Sequence, residues 1–208
     1  MSGASAFWLG REPLLLASGS TTRRNMLGAA GIPLEVAKAE IDERAVEQPL
    51  LAEGALPEQV ALALACAKAL AVSAARPGRV VLGADQTLSC GGTAFHKPAD
   101  APAARTQIAA LSGRSHELHS AFVLARDGEL IGEGVATARL TMRPLSPAFI
   151  AAYVDAIGEA ALGSVGAYQI EGLGAQLFET VEGDHFTILG LPLFAVLDAL
   201  RAQGLLRT

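Results

Sequence analysis

Val80-Val81-Leu82-Gly83-Ala84-Asp85-Gln86-Thr87-Leu88-Ser89 runs from aliphatic and β-branched residues straight into an acid, and Phe95-His96-Lys97-Pro98 follows shortly after. The apolar run predicts a buried strand whose far end presents Asp85. Gly83 and Ala84 keep the approach narrow, leaving room for a bulky group beside the carboxylate. Gly91-Gly92 turns the chain and returns Lys97 near the acid. An acid and a lysine flanking a tight turn suit an anionic substrate, with or without a metal. A strand capped by a solvated aspartate would have the same pattern, and strand-end acids are common.

On the N-terminal side, Pro13-Leu14-Leu15-Leu16-Ala17 predicts a short buried strand running into Ser18-Gly19-Ser20-Thr21-Thr22-Arg23-Arg24. Small hydroxyl residues between a strand and a helix are N-cap material. Met26, Leu27 and Ala30 carry the apolar face of that helix, and Gly31 ends it before Pro33. Such a junction aims backbone N–H groups and a positive helix end at one point. Arg23 and Arg24 sit where cations are disfavoured unless an anion is bound, so phosphate binding is expected here. Leu34-Glu35-Val36-Ala37 reads as a second strand, and Ile41-Asp42-Glu43-Arg44 as a loop whose acids suit a metal or a plain surface equally. Pro57 opens a long Ala-rich helix to about Ala75. Lys68 lies inside its apolar run, either snorkelling to water or reaching a phosphate.

On the C-terminal side, a helix is expected over 100–111. A hairpin of 116–125 and 129–142 follows about Asp127-Gly128, then a helix from Pro147 through Val154. The Gly-rich run from Gly163 to Gly174 contains Tyr168, Gln169 and Glu171 but lacks the Lys-Ser/Thr of a P-loop. A loop with an aromatic and an acid can fold around a base. Short strands are expected at 178–181 and 186–189, and Leu191-Pro192 opens a final helix ending near Gly204. His116 and His119, three apart on a strand, face opposite sides and make no metal pair.

This order of elements predicts an α/β protein with a mixed central sheet and a cleft between two lobes. One domain is expected over 1–208, with residues 1–12 a loose leader. The chain has 208 residues, 51% of them hydrophobic, enough for one good core in two lobes. A net charge of −5 argues against a nucleic-acid polymer as partner. No run of about 18 apolar residues lacks a polar break, so no membrane span is expected. Cys66 and Cys90 lie in apolar segments without metal-ligand spacing, which fits a reduced cytoplasmic setting.

Five separated motifs, in order, resemble those of the Maf nucleotide pyrophosphatases. They are Leu15 to Arg24, Gly83-Ala84-Asp85, Lys97-Pro98, Leu111-Ser112-Gly113-Arg114-Ser115-His116 and Gly190-Leu191-Pro192. The correspondence runs from about Leu14 to Leu200. The resemblance implies an elongated α/β fold related to the inosine triphosphatases. It also implies hydrolysis of a nucleoside triphosphate to the monophosphate and pyrophosphate with a divalent metal, magnesium or manganese. It places Asp85 on the proton acceptor, Ser20, Arg23, Lys68 and Lys97 around the phosphates, and Glu43 on an acidic position after the second strand. Arg24 joins the expected phosphate contacts from its place at the helix end, and Glu43 and Asp85 are the expected metal ligands. The family often forms homodimers.

Three positions bear on the base in that family: here Thr22, Gln86 and Glu171. By resemblance, Gln86 and Glu171 match the branch acting on 7-methyl-GTP, while Thr22 matches neither that branch nor the one acting on dTTP and UTP. Chemistry favours a guanine at Glu171, since a carboxylate accepts both N1–H and the exocyclic amine. Facing the carbonyls of uracil, the same carboxylate would be unpaired, at a cost of about 1–3 kcal/mol. The expected function is therefore pyrophosphate release from a modified guanine nucleotide. A dTTP/UTP enzyme and a non-catalytic nucleotide-binding regulator of cell division are the alternatives.

Overall fold

The computed structural model describes residues 6–208. The first three long-range strands are parallel: β1 (Leu14–Leu16) lies between β2 (Leu34–Val36) and β3 (Val81–Cys90). Helix α1 (Thr21–Ala29) connects β1 to β2, and α2 (Glu43–Ala52) and α3 (Pro57–Ala74) connect β2 to β3. The strands that follow are antiparallel to their neighbours. They are β4 (Thr93–Phe95), β5 (Ser115–Arg126), β6 (Glu129–Met142) and β7 (Phe178–Glu182). Helices α4 (Ala101–Leu111), α5 (Pro147–Ile157), α6 (His185–Ile188) and α7 (Leu193–Ala202) complete the order, with 3₁₀ turns at Gly158–Gly163 and Leu173–Leu177. The sheet runs β2-β1-β3-β5-β6-β7, with β4 also on β3, so it is mixed and flanked by helices as expected.

β3 organises the molecule. From Val81 to Ser89 one edge pairs continuously with β5. On the other edge β1 stops at Leu82, where Ala17 N–H donates to Leu82 O at 2.8 Å, and β4 begins only at Leu88. Residues 83–87 therefore face a gap in the sheet edge. Side-chain alternation divides the faces there. Leu82 and Ala84 pack in a core with Leu14, Leu27, Phe122, Val196 and Leu200. Leu88 and Cys90, on the same face, belong to a second core with Ile108, Leu118, Leu140, Met142 and Leu177. Gln86 sits at the seam, and two lobes share one strand across it.

On the opposite face α3 lies against β3 and β5, with Ala61, Ala65 and Ala69 against Ala121 and Val123. A Cβ on Gly83 would stand 2.2 Å from Ala65 O and 2.7 Å from Ala69 N. Only glycine lets the helix approach so closely, and that approach brings Lys68 over Asp85.

Several local expectations are corrected. Asp85 is not at a strand end; the strand continues to Cys90, and it is the neighbouring strand that ends. Asp42 does not lie in a plain loop but caps α2, its Oδ1 accepting the N–H groups of Arg44 (3.0 Å) and Ala45 (3.2 Å). That helix buries none of its residues and contains Pro49, so it carries neither the apolar stripe nor the proline-free interior that would announce it. The strand expected over 186–189 is the short helix α6, capped by Asp184, whose Oδ2 accepts Thr187 N–H at 3.0 Å. A four-residue apolar run does not by itself distinguish the two.

Of the leader expected over 1–12, residues 1–5 lie outside the described residues. The rest is not loose: Trp8 bridges to Leu206, and Leu9 N–H donates to Leu205 O at 2.9 Å. By length and composition α3 could cross a membrane, yet here it buries Val60, Leu64, Ala65, Ala69 and Val72 against the sheet.

Candidate active site

A cleft of about 1090 Å³ opens at the gap in the edge of β3. Because the edge is free, side chains from both faces of the strand reach it: Asp85 from the α3 side and Gln86 from the seam between the cores. Ser20 is the N-cap of α1, its Oγ accepting Arg23 N–H at 3.3 Å. Thr21 and Thr22 line the cleft at this helix end, where N–H groups have no intrahelical partner. No acidic residue occupies the first turn to neutralise the helix end.

Arg23 is buried, and three of its five N–H donors are spent inside the protein. Nε donates to Gly190 O at 2.7 Å, and Nη1 donates to Ser18 Oγ at 3.0 Å and Ala84 O at 2.9 Å. The guanidinium thus ties together α1, the gap in β3 and the loop after α6. Its Nη2 is left for a ligand. Burial lowers its pKa, and the charges of Asp85 and Glu43 partly offset this. Arg24, expected beside it, is exposed and does not line the cleft, because the next residue on a helix points about 100° away.

Lys68 neither snorkels nor stands free. Its Nζ lies 2.5 Å from Asp85 Oδ1 and 2.8 Å from Glu43 Oε1, joining α3, β3 and α2 in one ion-paired cluster. The side chains of Lys68 and Asp85 are only 11% and 13% exposed, so this pair is shielded from water. Partial burial pushes the Glu43 carboxyl pKa up. The Lys68 hydrogen bond, with the charges of Lys68, Lys97 and Arg23, outweighs that and leaves it lowered. Lys97 lines the same cleft, and its charge acts on Glu43. Glu43 and Asp85 offer two hard oxygen donors on one Nζ, and the described residues hold no cluster of three or more metal-ligating side chains. Two carboxylates fit a magnesium-like cation that takes the rest of its shell from water and substrate phosphates.

The other end of the cleft is walled by the 163–171 segment. Gln86 Nε2 donates to Ser120 Oγ at 3.0 Å and to Thr187 O and Ile188 O at 3.1 Å each. The three acceptors share the two amide hydrogens and hold the nitrogen, leaving Oε1 as the group's acceptor. Glu171 is exposed and Thr22 half-buried, and both line the cleft. Tyr168 is buried and lines the same wall. His116 and His119 do not face each other: His116 bonds Tyr168 Oη at 2.8 Å, while His119 Nδ1 meets Thr137 Oγ1 at 2.9 Å.

Three cleft residues escape the sequence reading. Lys38 packs beside Gly19, Glu47 lies one turn beyond Glu43 with a side chain 15% exposed, and Ser18 accepts from Arg23. The four-residue spacing of Glu43 and Glu47 is a signal only once α2 is known to be a helix.

Residues 13–203 match the family profile described as Maf-like protein. The chain is 55% identical over 193 residues to a 7-methyl-GTP pyrophosphatase of Mesorhizobium japonicum, covering 93% of this chain and 97% of that protein. It is 53% identical over 203 residues to a nucleoside triphosphate pyrophosphatase of Nitrobacter winogradskyi, covering 97% and 98%. Among solved structures, a HAM1 protein from Coxiella burnetii overlaps loosely, with 15% identity, a TM-score of 0.44 and 62% and 72% of the two chains covered. The profile match spans nearly the whole chain, and both relatives exceed half identity at full length: this protein belongs to the Maf family.

Proposed function

We propose that this protein hydrolyses a nucleoside triphosphate to the monophosphate and pyrophosphate, with a guanine nucleotide such as 7-methyl-GTP preferred. The observation that carries this reading is the shielded Asp85–Lys68 pair in the gap of β3, beside the unneutralised N-terminus of α1. The names of the two relatives agree with it. The triphosphate lies along the α1 end, Lys97 and Arg23 Nη2, where amide and cationic donors spread its charge. It also competes for the Lys68 ammonium, which frees the Asp85 carboxylate. Asp85 then orients a water and takes its proton as the oxygen attacks the α-phosphorus. The bond from that phosphorus to the α–β bridging oxygen breaks, and pyrophosphate leaves in line. Glu43 and Asp85 would hold a divalent cation, magnesium or manganese, which when bound neutralises charge on the triphosphate.

The base end supports a purine. Gln86 Oε1 and the Glu171 carboxylate are both acceptors, matching the two adjacent donors of a guanine edge. Both cysteines are free, which suits a reducing compartment, so we place the enzyme in the cytoplasm. The test is pyrophosphate release from methylated and unmodified nucleoside triphosphates with magnesium or manganese. Faster release from 7-methyl-GTP than from UTP and dTTP is expected. A pyrimidine preference would keep the mechanism and discard the base assignment. Nucleotide binding without release would favour the regulatory alternative.

A further inference from the structure

Residues 164–172, between the two 3₁₀ turns, cross the cleft wall with neither strand nor helix to hold them. Side chains do the holding. Ser164 Oγ accepts Tyr168 N–H at 3.1 Å and donates to Tyr168 O at 2.7 Å, and Gln107 Nε2 donates to Val165 O. Ala167 takes a left-handed φ of 58°, a conformation a non-glycine residue adopts only under constraint. That conformation turns the Tyr168 ring inward. Tyr168 packs edge-on to Phe178 with ring centroids 4.9 Å apart and meets His116 Nε2 through its hydroxyl at 2.8 Å.

His116 ends the Leu111–His116 motif, yet the hydrolytic chemistry makes no use of it. It is 1% exposed on β5 and does not line the cleft. Its Nδ1 has no partner, so the Tyr168 hydroxyl makes the imidazole ring's only hydrogen bond among the described residues. Burial pushes its pKa down to about 4, so the ring is neutral near pH 7. A neutral imidazole buried this deeply, with one nitrogen unsatisfied, costs stability that a phenylalanine would not. What the imidazole adds is the bond to Tyr168.

We propose that His116 is a positioning residue for the nucleobase: through Tyr168 it holds the 164–171 segment, and with it Glu171, across the cleft from Gln86. The inference rests on the reading of this cleft as a nucleotide site. The hydrogen bonds and ion pairs of Ser20, Arg23 and Lys68 involve neither His116 nor Tyr168, so the effect is expected at the base alone.

The test compares Tyr168→Phe, His116→Phe and His116→Gln with wild type. Calorimetry measures binding of 7-methyl-GTP and of inorganic tripolyphosphate, and kinetics give KM and kcat. His116→Phe and Tyr168→Phe are each expected to weaken nucleotide binding and raise KM about tenfold, with kcat within about twofold. Tripolyphosphate binding stays unchanged. His116→Gln, whose amide still reaches the hydroxyl, recovers most of the loss, which a merely structural role would not predict. Because His116 lies off the cleft, its effect cannot come from direct contact with the base. Should His116→Phe fail to fold, Tyr168→Phe and His116→Gln carry the comparison. Unchanged nucleotide affinity, or equal losses on nucleotide and tripolyphosphate, overturns the inference. Wild-type protein that binds tripolyphosphate but no nucleotide instead overturns the nucleotide reading itself, and the inference with it.

Discussion

Around Asp85 the cleft is held by ion pairs, with one ammonium shared by two carboxylates and a buried guanidinium anchored to two carbonyls and a hydroxyl. Around Tyr168 it is held by ring packing, a strained backbone turn and neutral hydrogen bonds. Both ends line one cavity, but their physics differs. Charge at the first end suits a ligand part that is always the same, a polyanion, and tolerates no loss of a partner because an unpaired buried charge remains. Shape at the second end suits a part that varies between ligands and can be altered by small changes. The difference predicts that damage at the first end stops chemistry, whereas damage at the second changes which nucleotide is accepted.

The largest expected effect is at Asp85. Asp85→Asn should lower turnover by about 10²–10⁴-fold, the range for a positioned base, with nucleotide affinity largely kept. Pyrophosphate release and calorimetry on the same preparation check both halves. Near wild-type turnover would remove the contrast between the two ends.

Next is Gly83→Ala, which puts a methyl group into the backbone of α3. Overpacking of this kind should cost about 1–3 kcal/mol or more in denaturant unfolding. It should also lower activity, because Lys68 moves off Asp85. Wild-type stability would mean that the α3 contact is not what sets the pair.

The pH dependence separates the ends. In the folded protein His116 titrates near 4, against 6.5 for an ordinary histidine, so the unfolded chain binds more protons between these values. Its neutral form costs nothing extra above pH 6.5, and stability falls as pH drops from 6.5 towards 4. Between pH 7 and pH 5 this amounts to about 2 kcal/mol, and it should be missing from His116→Phe. Glu43 titrates low in the fold, so its contribution is present at neutral pH and lost on further acidification, below the ordinary carboxyl range. Denaturant melts of wild type and His116→Phe at both pH values check the assignment.

The smallest effect is selective. Glu171→Gln should weaken a guanine nucleotide about tenfold relative to UTP, since an amide replaces one acceptor by a donor. Equal losses on every nucleotide would mean that Glu171 does not face the base.

Much of the fold is legible along the chain because its signals are local. The Val80–Leu82 run, the hydroxyl cap before Arg23, the Asp127–Gly128 turn and the proline that opens α3 each act within a few residues, and all fall where expected. The misreadings have a common cause. α2 buries none of its residues, so no apolar stripe marks it, and α6 is too short for a period to show. Of the two adjacent arginines, Arg23 turns inward and Arg24 outward, a choice made by the carbonyls of Ala84 and Gly190, the latter 167 residues away in sequence.

By itself the sequence determined the mixed α/β class, the hydroxyl-capped strand-to-helix junction at α1 and the placement of Asp85 on β3, because propensity, capping and motif spacing are properties of neighbouring residues. The tertiary structure alone decided three things. Asp85 stands at a gap left by β1 and β4 rather than at a strand end. Lys68 is held between Asp85 and Glu43 instead of reaching solvent. The last residue of the Leu111–His116 motif is spent on a tyrosine 52 residues further along the chain. Each depends on where a neighbouring element stops or how closely it packs, and Gly83, by admitting α3 to the face of β3, sets that distance.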